Sequence, residues 1–389
     1  MRILHCITGL SGDGAQRLLL RLTRGLQDYS LQSVVVNLGP VTPLVAEFEA
    51  TRVPVVSLGI SPSVSDIPGA ISSLRRVMHD VEPDIVQGWM YHANVMTLLA
   101  KTAGRLHVPL VWNVRRGMDD YRQRSRATRA VIRMSSALSR YVDSIVYCSE
   151  ISRSQHEVFG YAREHGLVMH NGFDTRKFAP CLVARAEARA LFGARDDEVV
   201  IGNIGRFDVA KGHRYLLEAF ALVAASVRNV RLVCVGRGMD ATNGQVSDML
   251  TRAGIVERVT LLGERDHVER IFPGFDMYCS SSIAEGFPNV IAEAMACALP
   301  CVVTDAGGSA EIVEQAGVVV APRNSSALAK GLRRHLKLSS TERRIIGEKA
   351  RARVCNVFSL ESMVSNYAQM YRSLSRGRFE SAAHPIIAH

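Results

Sequence analysis

Val199-Val200-Ile201-Gly202-Asn203-Ile204-Gly205-Arg206-Phe207-Asp208-Val209-Ala210-Lys211-Gly212 passes from an apolar run into a glycine-bounded loop with two cations, and a helix-period segment begins near His213. A strand apolar on both faces, a tight turn and a helix make one repeat of a parallel α/β sheet. The alternation continues downstream in Arg231–Val235, Val259–Leu262, Met277–Cys279, Cys301–Thr304 and Val318–Val320. Upstream it occupies Ile3–Ile7, Val34–Leu38, Val55–Leu58, Ile85–Gln87, Leu110–Asn113, Ile145–Cys148 and Leu167–Met169. Helical patterns at Ala15–Gln27, Pro68–Met78, His92–Ala103 and Arg122–Tyr141 supply the crossovers of repeated βαβ units, so the fold class is α/β with two series of buried parallel strands.

At 389 residues the chain exceeds one ordinary core, and two domains are the simplest division. Asn171–Pro180 mixes turn formers with charges as a hinge does, which places the domains at 1–172 and 173–358. Beyond residue 325 strands give way to helical stretches at Ser326–Leu338, Ser340–Val354 and Leu360–Leu374, and the tail 376–389 is expected to fray. With 47% hydrophobic and 22% charged residues the chain is globular rather than disordered. No apolar run approaches the roughly 20 residues of a membrane span, and Met1–Gly9 lacks the pattern of a signal peptide. A cytoplasmic protein is expected. The eight scattered cysteines form no Cys-x-x-Cys pair and read as buried, reduced thiols. The net charge of +10 favours anionic partners. Only 6% of residues are aromatic and no RNA-recognition or zinc-finger pattern occurs, so nucleic acid is not among the expected partners.

The sharpest chemical signal is Glu285-Gly286-Phe287-Pro288-Asn289-Val290-Ile291-Ala292-Glu293, after the strand that ends near Cys279. Pro288 suits the first turn of a helix, where a missing N–H costs nothing. Asn289 and Val290 would then offer backbone N–H groups to an anion. Glu285 in the loop and Glu293 inside the helix place two carboxylates beside that anion. In the quoted opening stretch, Gly205 allows close backbone approach, and Arg206 and Lys211 put two cations at the sheet edge where open α/β sheets bind ligands. Gly9-Leu10-Ser11-Gly12-Asp13-Gly14-Ala15 departs from the Gly-x-Gly-x-x-Gly dinucleotide fingerprint. Gly12 and Gly14 there fit either a ligand lying against the backbone or a tight turn. Gly307-Gly308-Ser309 with Glu311 reads equally as a pocket lining or a turn. His92 opens a helix after the strand Ile85–Gln87; on topology alone such a histidine is more often structural.

Together these runs resemble the family 4 retaining glycosyltransferases of GT-B fold, over most of residues 1–375. The resemblance implies two Rossmann-like domains facing each other across a cleft, with the last helix, about 359–375, packing back on the first. It implies that Arg206 and Lys211 hold the donor diphosphate, Glu285 the transferred sugar's hydroxyls and Glu293 the ribose. His92 would correspond to the family's cleft histidine, and Gly12, Gly14, Gly205 and the backbone of Gly286, Phe287, Pro288, Asn289 and Val290 would complete the donor site. The first loop reads Gly12-Asp13-Gly14-Ala15-Gln16, where many relatives carry two adjacent glycines followed by Ala and Glu.

The implied reaction moves a hexose or N-acetylhexosamine from a nucleotide-diphosphate sugar, such as a UDP-sugar, to a glycan or polyprenyl-diphosphate-linked acceptor. That is the chemistry of polysaccharide, lipopolysaccharide or capsule assembly. Arg206, Lys211 and the helix opening at Asn289 would stabilise the leaving group, so neither cofactor nor metal is expected. Glu285 is better placed to orient hydroxyls than to attack, which favours front-face displacement over a covalent intermediate. A nucleotide-sugar epimerase and a non-catalytic nucleotide-sugar-binding protein are the alternatives.

Arg115–Arg140 holds eight arginines against Asp119 and Asp120. On one continuous helix, Arg122, Arg126, Arg129, Arg133 and Arg140 fall within an arc of about 60°, with Ala127, Val131, Met134, Leu138 and Tyr141 opposite as a core face. Such a stripe suits an anionic membrane surface or a polyprenyl diphosphate acceptor, met by charge rather than by deep insertion, and equally the solvated face of a basic protein. The first reading puts the protein on the inner face of the cytoplasmic membrane.

Overall fold

The structure, a computed structural model, describes residues 1–12, 14–60 and 67–377. Asp13 of the first glycine loop and residues 378–389 of the tail lie outside the described residues. The strands are β1 Arg2–Ile7, β2 Gln32–Asn37, β3 Val55–Ser57, β4 Ile85–Trp89, β5 Leu110–Val114, β6 Ser144–Tyr147 and β7 Gly166–Val168, then β8 Val199–Ile204, β9 Val230–Val235, β10 Val259–Leu261, β11 Met277–Ser280, β12 Cys301–Thr304 and β13 Gly317–Val320. The helices are α1 Gly14–Leu26, α2 Pro43–Ala50, α3 Ile67–Val81, α4 Met90–Ala103, α5 Arg126–Leu138, α6 Glu150–Phe159 and α7 Leu182–Phe192. They continue as α8 His213–Ala224, α9 Gly244–Ala253, α10 Asn289–Ala296, α11 Ser309–Val313, α12 Ser325–Leu336, α13 Ser340–Val357 and α14 Leu360–Ser375.

The chain divides into two compact units, one of Met1–Gly172 with the segment from Leu360 onward, the other of Phe173–Ser359. The first is built on a seven-stranded parallel sheet of order β3-β2-β1-β4-β5-β6-β7. Its strands alternate between two cores: Ile3, Ile85, Val111 and Val146 point to one, while Leu4, Val86, Trp112 and Ile145 point to the other. Burial on both faces accounts for the continuous apolar runs. Leu18, Leu22 and Leu26 of α1 and Val364, Tyr367, Tyr371 and Leu374 of α14 complete the first core. Leu74, Met78, Leu98 and Ile132 from α3, α4 and α5 complete the second.

The second unit has a six-stranded parallel sheet of order β10-β9-β8-β11-β12-β13. Ile201, Leu232, Met277 and Val302 pack against Leu216, Phe220 and Val223 of α8 and Leu328 and Leu332 of α12. In each sheet the chain runs outward on one side of its first strand and then returns to the other side. The order therefore reverses beside β1 and β4 in the first unit and beside β8 and β11 in the second.

The basic segment is not one helix. Tyr121–Gln123 forms a single turn, Arg124 is extended, and the hydroxyl of Ser125 accepts the Thr128 N–H at 3.1 Å to cap α5, which begins at Arg126. Arg124 is drawn inward by Asp120, at 2.8 Å through Nε, and by the Gly117 carbonyl. Arg122 therefore stands outside the helical stripe. The core face is also turned from the expected one: Ile132 and Ser135 are buried, whereas Ala127 is exposed, Met134 is 42% exposed and Tyr141 60%. Of the cysteines, all free, six are buried, Cys355 is half-buried, and Cys181 is exposed, against the expectation of uniform burial.

Candidate active site

In a doubly wound sheet the strand-order reversal opens a crevice at the carboxyl ends of the strands. In the second unit the loops that leave β8 and β11 meet there. Lys211 Nζ lies 2.5 Å from Glu285 Oε1, and the Ser282 hydroxyl donates to the same oxygen at 2.7 Å. The backbone fixes this meeting: Ile283 N–H donates to the Ala210 carbonyl at 2.7 Å and the Ser281 hydroxyl to the Lys211 carbonyl at 2.8 Å. Gly212 has φ +63°, and a Cβ there would stand 2.2 Å from the Ser281 carbonyl oxygen, so both its conformation and its neighbour require glycine.

Asp208 organises the rest of the loop. Its carboxylate accepts the Ala210 N–H at 2.8 Å and lies 3.3 Å from Arg206 Nε. The Ala210 amide first, and then Arg206, hold its pKa below the ordinary carboxylate value. Each cation of the motif thus has an acid beside it. Arg206 with Asp208 is half-exposed, whereas the Lys211 and Glu285 side chains are only 22% and 13% exposed.

The end of β12 braces Glu285 from behind. Thr304 donates its hydroxyl to the Ser282 carbonyl at 2.6 Å, and Gly308 N–H donates to the Gly286 carbonyl at 3.1 Å. A Cβ on Gly307, at φ +53°, would come within 2.2 Å of the Glu285 carbonyl oxygen. Gly307 and Gly308 thereby act as a backbone support. Helix α10 starts at Asn289, with Pro288 as the residue before it rather than its first helical position; its ψ of 91° keeps it extended. Val290 occupies the first turn, and Glu293 is nearly buried farther along. The Phe287 ring stacks on Phe173, centroids 6.3 Å apart, and meets Phe358 at 5.8 Å. Its side chain belongs to the core, so Phe287 can serve a ligand only through its backbone.

In the first unit, the loop after β1 and the helix after β4 leave the equivalent reversal, where Ile7 and Trp89 pair at the strand ends. Gly12 has φ +94°, and nothing lies within 4 Å of a Cβ built on it, while Gly14 opens α1. The Thr42 hydroxyl pins the loop by donating to the Leu10 carbonyl at 2.6 Å. His92 is exposed in the first turn of α4, two residues after Met90, whose φ of +69° is unusual outside glycine. Partial desolvation of the imidazole lowers its pKa from the ordinary histidine value, which favours the neutral ring.

The expected residues thus form two sets, each at its own sheet's reversal. Gly12, Gly14 and His92 belong to the first, and Gly205, Arg206, Lys211, Glu285, Gly286 and Glu293 to the second. Asp208, Ser281, Ser282 and Thr304 went unassigned in the sequence, although the hydroxyl run Ser280-Ser281-Ser282 at a strand end was a visible signal. His213 had no such signal. Only 2% exposed, with its ring 5.8 Å from Phe207 and both nitrogens unpartnered, it is pushed by burial to a pKa of about 4. Among the described residues no three His, Cys, Asp or Glu side chains gather as metal ligands, and no helix is long and apolar enough to cross a membrane.

Comparison with known proteins gives consistent results. The family model described as Glycosyltransferase Family 4 matches residues 12–177, and that described as Glycosyl transferases group 1 matches residues 198–337. The chain is 31% identical over 143 residues to the putative glycosyltransferase EpsF of Bacillus subtilis, covering 37% of each. It is 28% identical over 187 residues to N-acetyl-alpha-D-glucosaminyl L-malate synthase of Bacillus anthracis, covering 48% of each. The chain thus spans half or less of the length of these curated relatives. Anabaena HepE, solved in complex with UDP, superposes with a TM-score of 0.83 at 23% identity, over 96% of this chain and all of that one. The chain belongs to the family 4 glycosyltransferases of GT-B fold.

Proposed function

We propose that the protein moves a hexose or N-acetylhexosamine from a nucleotide-diphosphate sugar to a glycan or polyprenyl-diphosphate-linked acceptor, with retention at the anomeric carbon. The observation that carries the reading is the Lys211–Glu285 contact at the reversal of the second sheet, beside Arg206 and before α10. A nucleoside diphosphate departing there develops negative charge, which Arg206, Lys211 and the amino end of α10 counter. Glu285, already fixed by Lys211 and Ser282, has its other oxygen for a sugar hydroxyl. Glu293 is assigned to the ribose and His92 to the sugar, as the family resemblance implies.

In the step itself the acceptor oxygen forms a bond to the anomeric carbon on the face from which the diphosphate leaves. The bond between that carbon and the diphosphate oxygen breaks, and the acceptor's proton passes to the departing oxygen. Two cations and a helix dipole supply the charge stabilisation, so the reading includes independence from a divalent metal. A UDP-sugar is the first donor to test, because HepE was solved with UDP.

The test is nucleoside diphosphate release from UDP- and GDP-sugars over a panel of glycan and lipid-linked acceptors, with and without EDTA. The anomeric configuration of the product is read by NMR. Acceptor-dependent release with an unchanged configuration, insensitive to EDTA, is expected. Inverted product contradicts the mechanism, and donor binding without turnover on any acceptor replaces the reading with that of a binding protein.

A further inference from the structure

We infer that the exposed face of α5 is a docking surface for an anionic phospholipid bilayer, and that it engages the bilayer by shallow insertion as well as by charge. Tyr121–Val142 contains six arginines and no acidic residue. Arg124 is taken up by Asp120. No carboxylate among the described residues stands within ion-pair reach of Arg126, Arg129, Arg133 or Arg140; the three other than Arg129 are exposed, and Arg129 is half-buried.

The buried side of α5 is set by Ile132 and Ser135, and the helix presents its opposite side to solvent. At about 100° per residue that side consists of two neighbouring stripes. One holds Arg126, Arg129 and Arg133, with Arg140 in the turn that follows the helix. The other holds Ala127, Ala130, Met134 and Ala137, all exposed, with Met134 at 42%, and Tyr141, 60% exposed, follows in the tighter turn Ser139–Tyr141 after the helix ends. Arg140 also lies 5.6 Å from the centre of the Tyr141 ring. A solvated basic face has no need of an apolar stripe, and a polyanion such as RNA would use the arginines alone. Guanidinium groups at the phosphate level beside methionine and tyrosine at the acyl boundary is the arrangement of a helix lying in a membrane interface. No step here depends on the donor site, so the inference stands apart from the transferase reading.

The whole protein is mixed with vesicles of phosphatidylcholine alone, or of phosphatidylcholine carrying phosphatidylglycerol, and sedimented without donor or acceptor. Binding is expected to the anionic vesicles and to weaken as salt is raised. Arg133→Gln should lower partitioning about fivefold, the factor that corresponds to about 1 kcal/mol per basic residue. Met134→Ser should lower it as well. Trp89 and Trp112 are fully buried, so a Met134→Trp variant reports from its own position, and its emission should shift to the blue on anionic vesicles. Circular dichroism melts confirm that each variant is folded. Equal binding to neutral and anionic vesicles would overturn the inference. So would anionic binding that Met134→Ser leaves unchanged and that gives no blue shift, the behaviour of a general polyanion surface. Either result leaves the sugar-transfer assay untouched.

Discussion

Lys211 and Glu285 are mutually dependent. Each is largely withdrawn from water, and each is the other's counter-charge at 2.5 Å. Removing the cation takes away the partner of Glu285 and, on the proposed reading, part of the charge that would receive the leaving diphosphate. Lys211→Ala is expected to lower kcat by about 10²–10³-fold, the cost typical of losing one preorganised transition-state contact. Steady-state kinetics on a variant with an unaltered melting curve checks it, and a change confined to KM would contradict the assignment. Phe287 is the contrasting case within the same motif. Its ring packs between Phe173 and Phe358, so Phe287→Ala should act on stability, by roughly 3–5 kcal/mol, through the cavity it leaves. Denaturant unfolding measures that loss; a variant of normal stability with weakened donor binding would show that the ring serves the ligand instead.

At the scale of elements, α14 returns from the end of the chain to close the first core, and its attachment is polar as well as apolar. Tyr367 accepts a hydrogen bond from Asn113 Nδ2 at 2.8 Å and another from Arg115, while the Tyr371 hydroxyl donates to Gln87. Arg115 is only 9% exposed, and its partners are neutral: the Met169 carbonyl at 2.6 Å, Asn171, the Tyr367 hydroxyl, and the faces of Trp89 and Tyr367. Tyr367→Phe takes away one of the few groups that satisfy this buried guanidinium and should cost about 1–3 kcal/mol of stability, read by thermal unfolding. No change in the melting temperature would mean that Arg115 finds another partner. The strands were legible because runs such as Val199–Ile204 and Cys301–Thr304 are apolar on both faces and bounded by turn residues, a pattern that needs no knowledge of neighbours. The start of α5 was less so. The arginine periodicity runs unbroken through Arg122–Arg126, and only the cap at Ser125 and the inward pull on Arg124 interrupt the helix. The bracing of Glu285 by Gly307 was illegible for a deeper reason, since it depends on segments far apart in sequence being brought together.

Across the whole molecule, buried histidines in both units tie stability to pH. Burial lowers His5 to about 3 and His156 to about 4 in the first unit, and His213 to about 4 in the second. The hydrogen bonds agree with neutral rings. His5 Nδ1 accepts the Trp89 indole N–H at 3.3 Å, which a protonated ring cannot do. His156 Nδ1 lies 2.7 Å from the Ser152 carbonyl and must donate to it, which leaves Nε2, 2.9 Å from the Tyr91 hydroxyl, as an acceptor. In the unfolded chain these groups titrate near 6.5. Between about pH 6.5 and 4 the unfolded state therefore binds protons that the folded state refuses, and stability falls as the solution is acidified through that window. The loss precedes that of carboxylates such as Asp208, whose pKa is lowered and whose contribution disappears only at more acid pH. Each buried histidine should cost on the order of 1–2 kcal/mol by pH 5. Denaturant midpoints at pH 7.5 and 5.0 should differ accordingly, and His213→Gln, which cannot take up the proton, should reduce the difference for the second unit. Midpoints that coincide at the two pH values would show that these rings take up protons in the folded protein as readily as in the unfolded chain, and so that water reaches them.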